Sequence, residues 1–237
     1  MRLLDFSFPD AADNLALDEA LLVAAEESTA GEVLRLWESP SYTVVVGSGG
    51  SVSLDVNVAA CEADCIPILR RASGGGTVLL GPGCLCFSLV MSYDSAPGLS
   101  DIRASNQYIL NRVANALKSV VSARSEGLSD LAVNGVKFSG NSQQRKRSFF
   151  LHHGTLLCGF NLELVAKYLH APERQPDYRQ NRPHAEFITN LPLSVADAKQ
   201  LLVAEWQPQG DYAPVPLEKA RELLAEKYSR DDWNRRR

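Results

Sequence analysis

No run of the sequence reaches the 18 or more uninterrupted apolar residues that a membrane-spanning helix needs, so no membrane role is expected. The first residues, MRLLDFSFPD, lack the apolar stretch of a secretion signal. Cysteine is scarce and odd in number: Cys61, Cys65, Cys84, Cys86 and Cys158. That count is no disulfide framework, and the spacings Cys61-x3-Cys65 and Cys84-x-Cys86 suit no zinc site, so no metal site is expected. Free thiols in apolar runs fit a reducing, cytoplasmic setting. Positive charge is not in excess; the net charge of −4 gives no electrostatic case for a nucleic-acid partner. Internal repeats and low-complexity tracts are absent, and so are three catalytic signatures: the Walker phosphate loop, G-x-G-x-x-G and His-Glu-x-x-His.

What remains is an ordinary globular chain of 237 residues, 45% hydrophobic and 22% charged, long enough for one domain with its own core. Helical spacing of Leu15, Leu22 and Ala25 predicts a helix over residues 15–28, capped by Asp13 or Asn14 and ended by Gly31. Strands are predicted at 32–38, 43–46, 66–71, 77–80 and 84–92, with a short helix at 56–63. Ser100 is read as the cap of a long helix whose inner side carries Ile102, Ile109, Val113, Leu117 and Val120. Residues 130–160 read as hairpins, because Asn134-Gly135 suits a turn with positive φ at both central positions. Helices are expected at 162–169, 193–206 and 217–228. Strands in hairpins with helices around them make an α+β domain with a mixed sheet, not a βαβ repeat.

Two segments carry chemistry. In the first, Arg70-Arg71-Ala72-Ser73-Gly74-Gly75-Gly76-Thr77-Val78, three consecutive glycines let a ligand approach the backbone, and Arg71 can offer a fork to a carboxylate or phosphate. In the second, Gly135 to Arg145 followed by Leu151-His152-His153-Gly154-Thr155, the strand alternation puts Lys137 and Ser139 on one face and Val136 and Phe138 on the other.

Three ordered pieces, RRASGGGTV, SDLAVNGVKFSGNSQQRKR and LHHGTLL, resemble the lipoate–protein ligase A family of the biotin/lipoate ligase superfamily. Weaker agreement extends the likeness over about residues 10–195, leaving a helical extension at 196–237 and no full accessory domain. The resemblance implies a largely antiparallel central sheet with surrounding helices, the catalytic-domain fold of that superfamily. It implies attachment of lipoate or octanoate, through an acyl-adenylate, to a lysine of apo lipoyl domains of 2-oxoacid dehydrogenases or of the glycine-cleavage carrier. ATP and magnesium would be co-substrates of a complete ligase, lipoate or lipoyl-AMP the substrate, and no cofactor permanently bound. Lys137 corresponds to the family's catalytic lysine. Arg71, Ser73, Gly74, Gly75, Gly76, Thr77, Val78, Cys84, Asp130, Ser139, Gly140, Ser142, His153, Gly154 and Thr155 correspond to positions around the acid and adenylate.

The chain departs from the family pattern where many ligases have His-Asp and a later Asn; here stand Leu80-Gly81 and Cys84. Three further readings therefore stay beside the ligase: a lipoyltransferase fed with lipoyl-AMP, an octanoyl transferase working from acyl carrier protein, and a non-catalytic lipoate-binding subunit. A separate accessory-domain chain is a possible partner. The loop 126–130 lacks the cysteine that one branch of octanoyl transferases uses, and Cys84, Cys86 and Cys158 sit in apolar strands.

Overall fold

The computed structural model describes residues 1–27 and 30–237. Ten strands and nine α-helices alternate among these residues. In chain order they are β1 (Arg2–Asp5), α1 (Ala11–Glu26), β2 (Val33–Glu38), β3 (Thr43–Val46), α2 (Val52–Asp55), α3 (Val58–Ala63), β4 (Ile68–Arg70), β5 (Val78–Leu80), β6 (Cys84–Ser92) and α4 (Ile102–Ala116). Then come β7 (Arg124–Glu126), β8 (Asp130–Val133), β9 (Val136–Arg145), β10 (Phe149–Leu157), α5 (Glu163–Tyr168), α6 (His184–Phe187), α7 (Val195–Trp206), α8 (Leu217–Leu223) and α9 (Asp231–Asn234).

A seven-stranded sheet in the order β1-β2-β6-β10-β9-β8-β7 forms the centre, and only β1 with β2 runs parallel within it. A smaller sheet, β4-β3-β5, packs beside it. Strict alternation along β6 explains the two cores. Cys84, Cys86 and Val90 point to one cluster, built with α1, α8 and the small sheet; Leu85, Phe87, Leu89 and Met91 point to the other, built with α4 and α7. A central strand buried on both faces is apolar at nearly every position, as the sequence of β6 is.

Several boundaries differ from the sequence reading. α1 starts at Ala11 with Asp10 as its cap, because Asn14 turns inward instead of capping. The Asn14 amide pairs with Phe8 and accepts from buried Arg35. The expected end of that helix, Ser28, lies outside the described residues. The expected helix 56–63 is α3, which starts two residues later at Val58, and a further short helix, α2, precedes it at Val52–Asp55. Asp101, not Ser100, caps α4 by accepting from the Ala104 amide, and Ile102 is 56% exposed in its first turn while Ile109, Val113 and Leu117 are buried. The segment expected as one helix over 217–228 changes after Leu223 to a wider turn, Leu224–Tyr228, and α9 follows it. No helix among the described residues is long and apolar enough to cross a membrane.

Candidate functional site

β4 delivers Arg70 and Arg71 to the start of the glycine turn. Arg71 is buried and spends its guanidinium on the turn itself: Nε donates to Ser73 Oγ (3.0 Å), and Nη2 donates to the carbonyls of Gly74 (2.5 Å) and Gly76 (2.8 Å). Nη1 donates to the Val45 carbonyl (3.3 Å). The expected fork to a ligand is thus largely a fork to the loop, and burial pulls the Arg71 pKa down to about 10. Gly75 has φ +85°, and a Cβ there would sit 2.9 Å from Arg71 Nη2. Ser142 Oγ, on β9, donates to the Gly74 carbonyl (2.8 Å) and ties the loop to the main sheet.

Asn134 and Gly135 have φ of 51° and 74°, and the hairpin between β8 and β9 turns where the sequence places it. Beyond the turn, strict alternation fails. Leu131 pairs with Ser139 and Ala132 with Lys137, so Phe138 is an extra residue, a β-bulge. The bulge moves Lys137 to the face of Asp130 and Gly140 and leaves Ser139 on the opposite one, where Asn141 Nδ2 donates to its hydroxyl (3.1 Å). Lys137 and Ser139 do not share a face, a correction to the sequence reading. Without the extra residue, Lys137 would point toward the apolar cluster that holds Leu131. Instead its Nζ meets Asp130 Oδ1 at 2.8 Å, over Gly140, where a Cβ would be 2.9 Å from that nitrogen. Tyr178 Oη donates to the other Asp130 oxygen (2.7 Å), and burial pushes this phenol well up.

Two connected cavities meet at this lysine. A smaller one of about 150 Å³ runs between α1 and the sheet; a wide cleft of about 800 Å³ opens beside it. Gly76, Thr77, Val78, Asp130, Lys137, Gly140 and Thr155 border both. Arg71, Gly75, Ser142, His153 and Gly154 border only the smaller cavity, and Ser139 only the cleft. Three expected residues border neither. Ser73 and Gly74 stand behind the loop and hold Arg71, His153 and Ser142. Cys84 is 1% exposed in the core, because inward alternation on β6 places it among apolar neighbours.

Sequence reasoning missed part of the smaller cavity's wall, including Leu15, Asp18, Trp37, Val45, Cys86 and Ser88. An acidic residue amid the apolar positions of α1 was the available signal. Asp18 is 2% exposed, paired with Arg35 (2.6 Å) and accepting from Ser88 Oγ (2.8 Å). Also missed was Arg179 in the cleft wall, buried, with an Nη2 that has no hydrogen-bond partner among the described residues. The two histidines divide: His152 is fully buried between Asn141 and Gln143, while His153 borders the smaller cavity. Burial drives both pKa values down to about 3, so both rings are neutral. Burial likewise lifts Cys86 well above the ordinary thiol range and Cys158 up to about 12. Among the described residues, no three His, Cys, Asp or Glu side chains cluster as metal ligands would.

The sheet order, the glycine loop and the lysine between two cavities define the catalytic-domain architecture of lipoate ligases, an α+β fold with a mostly antiparallel sheet. The chain belongs to the lipoyl protein ligase A/B catalytic domain family, which it matches over residues 10–207. It is 32% identical over 157 residues to a probable lipoate-protein ligase A of Mycoplasma pneumoniae, and 33% identical over 156 residues to that of Mycoplasma genitalium. Each match covers 66% of this chain and 45% of the relative, so the chain matches less than half the length of these proteins. In fold it resembles a bi-partite lipoate protein ligase from Thermoplasma acidophilum, with a TM-score of 0.84 at 24% identity over 99% of this chain and 95% of that one. A lipoate-protein ligase A bound with ATP gives 0.84 at 23% identity over 99% and 98%. A second T. acidophilum structure, holding lipoic acid, gives 0.83 at 22% identity over the same shares.

Proposed function

We propose that this chain is the catalytic unit of a lipoate–protein ligase that joins lipoate to a lysine of an apo lipoyl domain through lipoyl-AMP. The observation that carries this reading is the position of Lys137 at the shared wall of a small cavity and a wide cleft. The apolar part of the smaller cavity's wall, Leu15, Trp37, Val45, Leu80 and Phe87, suits an acyl chain, and the cleft suits a nucleotide. The two would meet at the ammonium. A carboxylate oxygen attacks the α-phosphorus of ATP, pyrophosphate leaves, and acyl-AMP forms. The acceptor lysine, as free amine, then attacks the acyl carbon; AMP leaves and the amide nitrogen gives up a proton. Negative charge builds on oxygen in both steps, and Lys137 is placed to neutralise it. Asp130, with Tyr178 behind it, holds the ammonium in register. Gly75 in the loop has no room for a side chain, and Arg179 Nη2, without a partner among the described residues, offers a donor to an anion in the cleft.

The thioester route of an octanoyl transferase fits less well: burial raises the pKa of the thiol that borders the smaller cavity, Cys86, and so holds it protonated. A pure binding subunit would have little use for an ion-paired lysine at the junction. The bi-partite likeness supports a separate accessory chain as a partner.

The test is the intact mass of an apo lipoyl domain after incubation with this chain, lipoate, ATP and magnesium. A gain of one lipoyl group is expected, and no gain with either ATP or preformed lipoyl-AMP refutes the assignment. Lys137→Ala is expected to slow transfer about 100-fold or more, the scale of losing one charge-stabilising donor. Transfer at the full rate would remove Lys137 from the mechanism.

A further inference from the structure

An acyl-adenylate reacts with any unprotonated amine held beside it, because AMP leaves readily and the amide that forms is stable. Among the described residues, Lys137 is the one lysine that borders either cavity. The position that suits it to neutralise oxygen also brings its nitrogen near the carbon under attack. Two amines therefore compete for the activated acid, that of the acceptor and that of the chain itself.

The surroundings of Lys137 hold its nitrogen in the state that cannot attack. Nζ is 2.8 Å from Asp130 Oδ1 in an ion pair. Tyr178 Oη donates to the other carboxylate oxygen (2.7 Å), and burial raises the phenol pKa, so the phenol keeps the hydrogen it donates. A carboxylate has only lone pairs to offer, so the hydrogen between Oδ1 and Nζ belongs to the nitrogen. The lysine is also fixed at both ends. Its carbonyl accepts from the Thr189 amide (2.8 Å), and a Cβ on Gly140 would come within 2.9 Å of Nζ and 3.1 Å of Cε. Holding the lysine in register does not by itself call for a charge, since an amide oxygen also accepts from an ammonium. An anion beside Nζ even offsets part of the field that a developing oxyanion would feel. The charge on Asp130 needs another reason.

We propose that Lys137 is a latent acylation site and that Asp130, kept in place by Tyr178, suppresses its acylation, so that the activated acid survives until the acceptor lysine arrives. In the reaction avoided, a neutral Nζ attacks the acyl carbon, AMP leaves, the nitrogen loses a proton to solvent, and an amide replaces the amine. Each such event removes the positive charge and ends the activity of that molecule. Asp130 and Tyr178 act here as positioning residues. The inference rests on the acyl-ligase reading and deepens it with a selectivity between amines.

The intact chain, incubated with chemically prepared lipoyl-AMP and no lipoyl domain and followed by intact mass and peptide mapping, tests it. Asp130→Asn keeps the shape and removes the charge. It is expected to gain one lipoyl group at Lys137 at least about tenfold faster than the wild type. Asp130→Glu keeps the charge and is expected to stay within about threefold of the wild type. A purely structural role predicts the reverse order, since Asn is the closer in shape. Adding Lys137→Arg to Asp130→Asn is expected to abolish the gain. Acylation of Asp130→Asn no faster than the wild type, or only at sites other than Lys137, overturns the guard. Should that variant fail to fold, Tyr178→Phe decides. It frees the carboxylate to swing from Nζ, a rise of about threefold or more is expected, and no rise overturns the guard. A wild type that transfers nothing from lipoyl-AMP to an apo lipoyl domain overturns the ligase reading beneath it. A wild type that transfers while Asp130→Asn leaves Lys137 untouched overturns the guard alone.

Discussion

His152 shows what a single buried side chain does to the stability of this protein. Its ring is fully buried, stacked 6.2 Å from Phe87, with Asn141 and Gln143 as hydrogen-bond partners. Burial lowers its pKa from 6.5 to about 3. Below pH 6.5 the unfolded chain takes up a proton that the folded chain refuses, so stability is full above that pH and falls as pH drops toward 3. One such group costs about 1.4 kcal/mol per pH unit, or about 2 kcal/mol between pH 6.5 and 5. Urea unfolding of the wild type and of His152→Gln across that interval checks this. The variant is expected to show a flatter dependence, and identical slopes would mean that His152 is not held neutral. His153 acts in the same direction, and burial again is the main cause. The adjacent pair His152-His153 is plain in the sequence, but the division of labour between them is not. It comes from strand alternation together with what each face of β10 meets.

At the scale of elements, the glycine turn between β4 and β5 and the bulge in β9 decide the site. The turn was legible, since three glycines in a row have few other uses. Its internal wiring was not, because the Arg71 bonds to Gly74 and Gly76 depend on where β4 ends. Gly75→Val forces a β-branched residue to φ +85° and drives its Cβ toward Arg71 Nη2 and Ser142 Oγ. Lipoate affinity is expected to fall at least about tenfold, the consequence of displacing the wall of a 150 Å³ cavity. Calorimetry giving an unchanged affinity would show that the loop does not shape the pocket. The bulge is the opposite case. A two-residue period was the correct default for residues 136–145, and it put Lys137 on the wrong side relative to Ser139. One extra residue inverts every position before it, and nothing local in Val136-Lys137-Phe138-Ser139 announces the insertion.

Across the whole molecule, the terminal segment is wired to the site through Arg70. This fully buried guanidinium has no carboxylate hydrogen-bonded to it among the described residues; it donates to the carbonyls of Gly47 and Gly50 on one side and of Trp233 and Arg236 on the other. Asn234 accepts from the Arg70 amide, and the Trp233 indole donates to its carbonyl (2.9 Å). Gly47 in turn packs against the backbone of Gly74 and Gly75. Removing residues 230–237 strips a buried cation of two acceptors and is expected to cost about 3 kcal/mol or more. The urea midpoint should fall, and amide exchange at 47–50 and 74–76 should speed up; an unchanged midpoint would contradict the strap. The sequence by itself determined the α+β class, the hairpin at Asn134-Gly135, the glycine turn and the lysine beside it. Those are signals of backbone conformation and of local periodicity, which short stretches of chain carry on their own. Tertiary structure alone decided which face Lys137 takes, the wall supplied by Asp18 and Trp37, and the strap on Arg70. Each of these joins residues tens to hundreds of positions apart, and their partners are set by strand register and packing, which no local pattern records.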